Sequence, residues 1–290
     1  MELQALKIFQ IVAKTGSFSK AAQELNYAQS NISVKIQQLE AYMQASLFYR
    51  HNRGITLTIK GEMLLNYTKQ ILNLIDETTR AIKDNDIPRG PLRIGSMETT
   101  ASIHLPQLLS AYHRNYPDVN LTLKTGTTEK NIHEVLQYNL DGAFVAGPID
   151  HPELLQKTVM EEELVFITDS IHPAMSAIKD IEARTLLVFP TGCSYRKILE
   201  QLLHNNGLIP DEIIEFDTLG AILSCVCSGL GMSLLPISAV EKYAQSGILK
   251  CHYIKNIHVN IPTVFVYRKD RFMSKSLIKF IDMFSNNEYF

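Results

Sequence analysis

The spacing of apolar residues changes along this chain, and each change predicts an element. From Leu3 to Ala13, the residues Leu3, Leu6, Phe9, Ile11, Val12 and Ala13 recur at largely helical spacing and predict a supporting helix. The stretch Ser17 to Glu40, SFSKAAQELNYAQSNISVKIQQLE, predicts two short helices around a turn at Asn26–Tyr27–Ala28. Ala21 and Ala22 are small enough for close helix packing, and Ser19 is placed to accept a backbone N–H where the first helix begins. In the second helix Ile32, Ile36 and Leu39 stand at i, i+4 and i+7, one buried face. Two β-prone runs, Leu47–Arg50 and Ile55–Thr58, then flank His51–Asn52–Arg53–Gly54 and predict a hairpin.

From Lys60 to about Asp84 the period becomes heptad-like. Leu64, Tyr67, Ile71, Leu74, Thr78 and Ala81 step by alternating threes and fours, and Leu65, Leu72, Ile75 and Ile82 widen the stripe. A lone helix cannot bury so much surface, so pairing with a second copy is expected. Pro88, Gly90 and Pro91 end it. The remainder alternates strand-like and helix-like runs. Strands are predicted at 92–97, 119–126, 141–147, 163–168, 186–190, 213–216 and 231–236, with two further strand-like runs before a closing helix at 274–284. Such alternation predicts mostly parallel sheets covered by helices.

Composition and charge then bear on function. The exposed face of the second helix carries Gln29, Ser30, Asn31, Ser33 and Lys35, with no carboxylate before Glu40. Hydrogen-bonding side chains with a cation suit a DNA major groove. The chain has a net charge of −2, yet residues 1–60 hold seven Lys and Arg against three acids, leaving −6 on the rest. A basic head on an acidic body is expected where one domain meets phosphate. No apolar run approaches bilayer-spanning length and no basic-then-apolar signal opens the chain, so no membrane partner and a cytoplasmic location are expected. The four cysteines lack CxxC spacing, which predicts free thiols rather than structural zinc.

In order and spacing, several motifs together resemble the LysR-type transcriptional regulators. They are Leu6 and Phe9, GSFSKAAQEL, Ser30-x-x-Ser33-x-x-Ile36-x-x-Leu39-Glu40, LFYR, GITLTIKG, RGPLRIG, LPQLLSAYHRNYPDV, DGAF and GLGMSLLP. The resemblance implies an α/β multidomain chain: a winged helix-turn-helix (1–60), a dimerising linker helix (61–87) and a two-lobed effector domain like periplasmic binding proteins (88–290). Lobe 1 would hold 88–160 and 268–290, and lobe 2 would hold 161–267. It implies double-stranded operator DNA, a small-molecule effector and self-association to a dimer or tetramer as partners, with RNA polymerase a further one. No enzymatic activity and no cofactor or metal are expected. By position, Gln29, Ser30, Ser33, Val34 and Lys35 would face the groove with Ser17, Ser19 and Asn31 beside them, and Arg50 and Arg53 would belong to the wing. The chain departs from many members at Val34, where Arg or another polar residue is common. Valine can touch a thymine methyl but cannot read guanine.

The effector site is expected at the carboxyl ends of the strands. Thr99 and Thr100 follow the first strand, where helix-start amides and hydroxyls suit an anion, although plain N-capping is an equal reading. Gly126, Thr127 and Thr128 follow the second strand, and Gly147–Pro148 the third. In the second lobe Gly192 lets backbone approach a ligand, Cys193 and Ser194 open a helix, and Arg196 could pair with a carboxylate or form a structural ion pair. Together these point to a small anionic metabolite. A thiol switch through a Cys193 of lowered pKa is the alternative. An enzyme with Cys193 as nucleophile lacks a His/Asp constellation, and a solute-binding protein would not need the basic head.

Overall fold

The computed structural model describes residues 2–51, 54–83, 87–181, 184–254 and 257–285. The chain divides into two compact units, with residues 1–84 in the first. There α1 (Leu3–Thr15) stops at Gly16, which takes the left-handed conformation. Ser17, not Ser19, caps α2 (Phe18–Leu25): its hydroxyl accepts the Lys20 amide, and the helix ends on left-handed Asn26. The Ser19 hydroxyl instead donates to Gln29 Oε1 at 2.7 Å and ties α2 to α3 (Gln29–Met43). Ile32 and Ile36 are fully buried and Leu39 nearly so, in one core with Leu6, Phe9, Val12 and Phe48. Truncating any of the three aliphatics would cost about 2–5 kcal/mol.

The hairpin is an antiparallel pair, β1 (Phe48–His51) and β2 (Gly54–Leu57). Both strands start one residue away from the sequence reading, and Arg53 lies outside the described residues. Glu40 at the end of α3 accepts the Leu47 amide at 2.7 Å, and the Ile55 amide donates to Gly16, so the wing hangs from α1 and α3. At the start of α4 (Ile59–Lys83) the Thr58 hydroxyl accepts the Gly61 amide. A Cβ on Gly61 would stand 2.1 Å from the Leu47 carbonyl, so only glycine fits there. Leu64, Leu65 and Ile71 of α4 pack on the winged core, whereas Tyr67 and Leu74 are exposed. The Ala81 side chain lies outside the described residues.

The second unit runs β3 (Gly90–Ser96), α5 (Glu98–Ile103), α6 (Leu105–Asn115), β4 (Val119–Thr125), α7 (Thr128–Leu136), β5 (Gly142–Ala146) and β6 (Leu154–Asp169). After a 3-10 turn it continues with β7 (Thr185–Val188), α8 (Ser194–Asn205), β8 (Glu212–Glu215), α9 (Leu219–Cys227), β9 (Ser233–Pro236) and α10 (Ile237–Gln245). β10 (Leu249–His252), β11 (Val259–Arg268) and α11 (Lys275–Ser285) close it. The main sheet has the order β10-β6-β11-β5-β3-β4, with β9 also on β6. The sheets are mixed rather than mostly parallel. β3 pairs in parallel with β4 and β5, as β7 does with β8, while every pairing of β6 and β11 is antiparallel.

The reason is that β6 and β11 each pass through both lobes, in opposite directions. Their ladder shifts register between Thr263 and Val264. Residues on one side, including Ile261, Leu164 and Phe166, join a core with Leu187, Tyr195 and Leu235. On the other side Phe265 shares a core with Leu92, Ile94, Phe144 and Phe280. The chain thus returns to the first lobe at about residue 264, four residues before the boundary read from the sequence.

Candidate functional site

In the first unit the first turn of α3 contains no acidic residue. Gln29, Ser30 and Asn31 are exposed there, Ser33 and Lys35 are half-buried, and Val34 is 49% exposed. Lys35 is not a free cation, because its ammonium lies 2.7 Å from the Glu2 carboxylate, which this contact holds below the usual carboxylate range. In the wing the Arg50 guanidinium sits 5.4 Å over the Phe18 ring and 3.7 Å from Glu40. Glu2 and Phe18 were not among the residues singled out from sequence, since both act through packing across helices rather than through a motif.

In the second unit a cavity of about 470 Å³ opens between the lobes. Thr99, Gly126, Thr127 and Thr128 line it from the first lobe, with Met97, Glu98 and Lys130; Phe189, Cys193, Tyr195 and Asp217 line it from the second. A further cavity, also about 470 Å³, shares Thr128 and Cys193 and takes in Gly147, Ser194 and Arg196. Thr100 lines neither. Its side chain is fully buried, and its hydroxyl has no hydrogen-bond partner among the described residues. Nor does Thr99 cap α5, whose N-cap is Met97. α5 is only six residues long before the chain breaks at His104, too short for a substantial helix dipole.

Arg196 has carboxylate partners of its own. It bonds Glu200 at 2.7 Å and also contacts Glu215, a structural ion pair that raises its pKa. Burial pushes the Cys193 thiol up, opposite to the lowered pKa expected of a redox sensor, because desolvation outweighs the helix-start amides. All four cysteines are free thiols.

Beneath the first cavity lies a buried polar cluster centred on Glu162 of β6. Its Oε1 accepts Ser238 Oγ at 2.6 Å and lies 2.9 Å from His104 Nε2, and its Oε2 accepts the Tyr195 hydroxyl at 3.3 Å. Tyr195 in turn lies 3.1 Å from Thr99 Oγ1. Burial and the neighbouring Glu162 charge lift the Tyr195 pKa well above 10, so it stays a hydroxyl. The cluster joins α5, β6, α8 and α10. Sequence reading missed it, and the run Glu161–Glu162–Glu163 in a strand, where alternation turns the middle acid inward, was the available signal.

Comparison with known proteins fits both units. Residues 3–62 match the profile described as the bacterial regulatory helix-turn-helix protein of the lysR family, and residues 85–287 match the LysR substrate binding domain. The chain belongs to the LysR family of DNA-binding transcriptional regulators. The HTH-type transcriptional regulator GltR of Bacillus subtilis (strain 168) is 48% identical over 281 residues, covering 97% of this chain and 95% of the relative. CzcR of Bacillus cereus, also an HTH-type transcriptional regulator, is 45% identical, covering 97% and 96%. The structure of full-length CbnR complexed with its target DNA shares the fold, with a TM-score of 0.71 at 22% identity over 99% of each chain. In this LysR-family chain the two interlobe cavities fall wholly within the substrate-binding match. No helix among the described residues is long and apolar enough to cross a membrane.

Proposed function

We propose that this LysR-family regulator senses a small metabolite carrying a carboxylate in its interlobe cavity and thereby alters how it binds or bends its operator. The carrying observation is the chemistry of one wall. Thr127 Oγ1 accepts the Lys130 amide at 3.3 Å and Thr128 Oγ1 accepts the Ala146 amide at 3.2 Å, so both hydroxyls keep their protons for a ligand. Lys130 lines the same wall, and α7 begins at Thr128, which adds the positive end of a nine-residue helix. A carboxylate there meets two hydroxyl donors and an ammonium.

The exposed start of α3 and the Arg50 wing strand would contact DNA, a reading supported by CbnR, which shares this fold and was solved in complex with its target DNA. Tyr67 and Leu74 leave an apolar stripe on α4 for a second copy. The protein would act in the cytoplasm as a homodimer or tetramer, with RNA polymerase as a further partner, no cofactor beyond its effector and no catalysis. An effector works only if it favours one assembly state over another. Gel shifts of the full chain on its own upstream region, across a salt series and with carboxylate metabolites added, test this. Operator binding that weakens with salt and responds to a carboxylate is expected. A response that survives Lys130→Ala with Thr128→Val would count against the assigned wall.

A further inference from the structure

One arrangement of the hydrogens gives every contact of Glu162 a donor. A carboxylate offers acceptors alone, so Ser238, His104 and Tyr195 all point their protons at Glu162. The Tyr195 proton is then committed, because a hydrogen bond to a charged acceptor outcompetes one to a neutral hydroxyl. With its proton on Glu162, Tyr195 can only accept at its other contact, so Thr99 Oγ1 donates to it at 3.1 Å. A threonine hydroxyl has one hydrogen. Thr99 therefore has no proton left to offer the cavity it lines. Glu98 and Asp217 line the same cavity and add two carboxylates. Glu98 is held there by the Leu219 amide at 3.1 Å and by Ser102 at 3.2 Å.

The cavity lining thus mixes two kinds of group: Thr127, Thr128 and Lys130 offer donors, and Thr99 offers an acceptor. From this we infer that the effector carries, beside a carboxylate, a hydrogen-bond donor, a hydroxyl or ammonium, and that Glu162 sets this preference through Tyr195 and Thr99. The 2-amino and 2-hydroxy acids have this pattern, whereas the matching 2-oxo acid presents a carbonyl acceptor to an acceptor. The inference rests on the cavity being the effector site. It also reverses the sequence expectation that the Thr99 turn receives the anion. Glu162 and Tyr195 are positioning residues: they touch Thr99 or one another and decide which way its proton points.

Glu162→Gln tests the wiring with little change of shape. Oε1 meets two donors and Oε2 one, so the amide oxygen takes the Oε1 place and the amide N–H faces Tyr195. Tyr195 would then turn its proton to Thr99 and Thr99 its own into the cavity. Tyr195→Phe frees the Thr99 proton directly and serves if the glutamine variant does not fold. Calorimetric titration of the full-length protein would use the 2-amino, 2-hydroxy and 2-oxo forms of the C4 and C5 dicarboxylic acids. For the wild type, the amino or hydroxy form of a set should bind at least about tenfold tighter than the oxo form, the scale of an unpaired buried polar group. In either folded variant that ratio should fall to about one or invert. A wild type that prefers the oxo form, or a ratio unchanged in both variants, overturns the inference. Oxo preference that still depends on Lys130 leaves the effector site standing, and binding indifferent to Lys130 and Thr128 removes the site as well. Silence toward all six probes overturns the ligand class.

Discussion

The Lys35 ammonium, on the face of α3 assigned to DNA, is paired with Glu2 at 2.7 Å. Lys35 is about one-third exposed and Glu2 largely exposed, so water screens the pair and phosphate can compete for the lysine. If Lys35 contacts phosphate, Glu2 is expected to moderate DNA affinity. Glu2→Gln should tighten operator binding a few-fold at low salt and steepen the salt dependence by roughly one unit of slope, as expected for one more phosphate contact. Fluorescence anisotropy across a salt series measures both. An unchanged slope would show that Lys35 does not reach the backbone.

Val34 is 49% exposed in the middle of the polar face of α3. Its apolar surface can gain from a thymine methyl and from little else in the groove. Replacing single thymines of the operator by uracil should weaken wild-type binding about fourfold at the contacted base, the worth of roughly one buried methyl group. Val34→Ala should show no such penalty at that base. A methyl effect of equal size in both proteins would place the contact elsewhere.

On α4, Tyr67 and Leu74 are 58% and 56% exposed, an expensive arrangement for a solitary helix. Leu74→Glu should shift the protein toward monomer at micromolar concentration, read by sedimentation velocity. The thermal transition of the second unit should not move. Retained self-association would mean another face carries the dimer.

His252 in the second lobe is buried and neutral: Nδ1 accepts the Met175 amide at 3.1 Å, and Nε2 donates to Thr168 at 2.7 Å. Burial, then the nearby His172 and Lys250, bring its pKa down to about 4 from 6.5. The unfolded chain binds the extra proton first as pH falls. Stability is therefore full above about 6.5 and is lost progressively toward pH 4, by at most about 3 kcal/mol from this group. Melting curves from pH 7 to 4 should fall more steeply for the wild type than for His252→Asn, which keeps an acceptor near Nδ1 but does not titrate. Parallel curves would discount the histidine.

With its pKa raised by burial, Cys193 should be a poor thiolate. Alkylation by iodoacetamide at pH 7.5 should be slower than for an exposed peptide thiol, and Cys193→Ser should leave operator binding unchanged with or without peroxide. Fast labelling with loss of DNA binding would restore the thiol-switch reading.

What could be read from sequence depended on how local the cause was. The Ile32, Ile36 and Leu39 seam and the polar face opposite it follow from one helical period, and α3 forms over those residues. The strand at 163–168 was visible as an apolar run, but β6 begins at Leu154, because three acids interrupt the pattern that carries it through both lobes. α10 was not anticipated. Pro236 ends the strand-like run before it, and the nine residues that follow bury only Ala239 and Val240. On the cavity walls the residues after each strand were legible from the strand-end rule. The direction of the Thr99 proton was not, since it is decided by Tyr195, Glu162 and Ser238, which lie 63 to 139 residues away in sequence.

The lobes are joined by β6 and β11, paired to each other and shifted in register between Thr263 and Val264. Two hydrogen-bonded strands resist sliding, which would break their ladder, but yield to twist. A turn of one lobe against the other would therefore have its pivot at this register shift. Glu162 rides on β6 two residues beyond Met160, the partner of Thr263 at that pivot. A ligand at Thr99 would therefore be linked, through Tyr195 and Glu162, to the strand that joins the lobes.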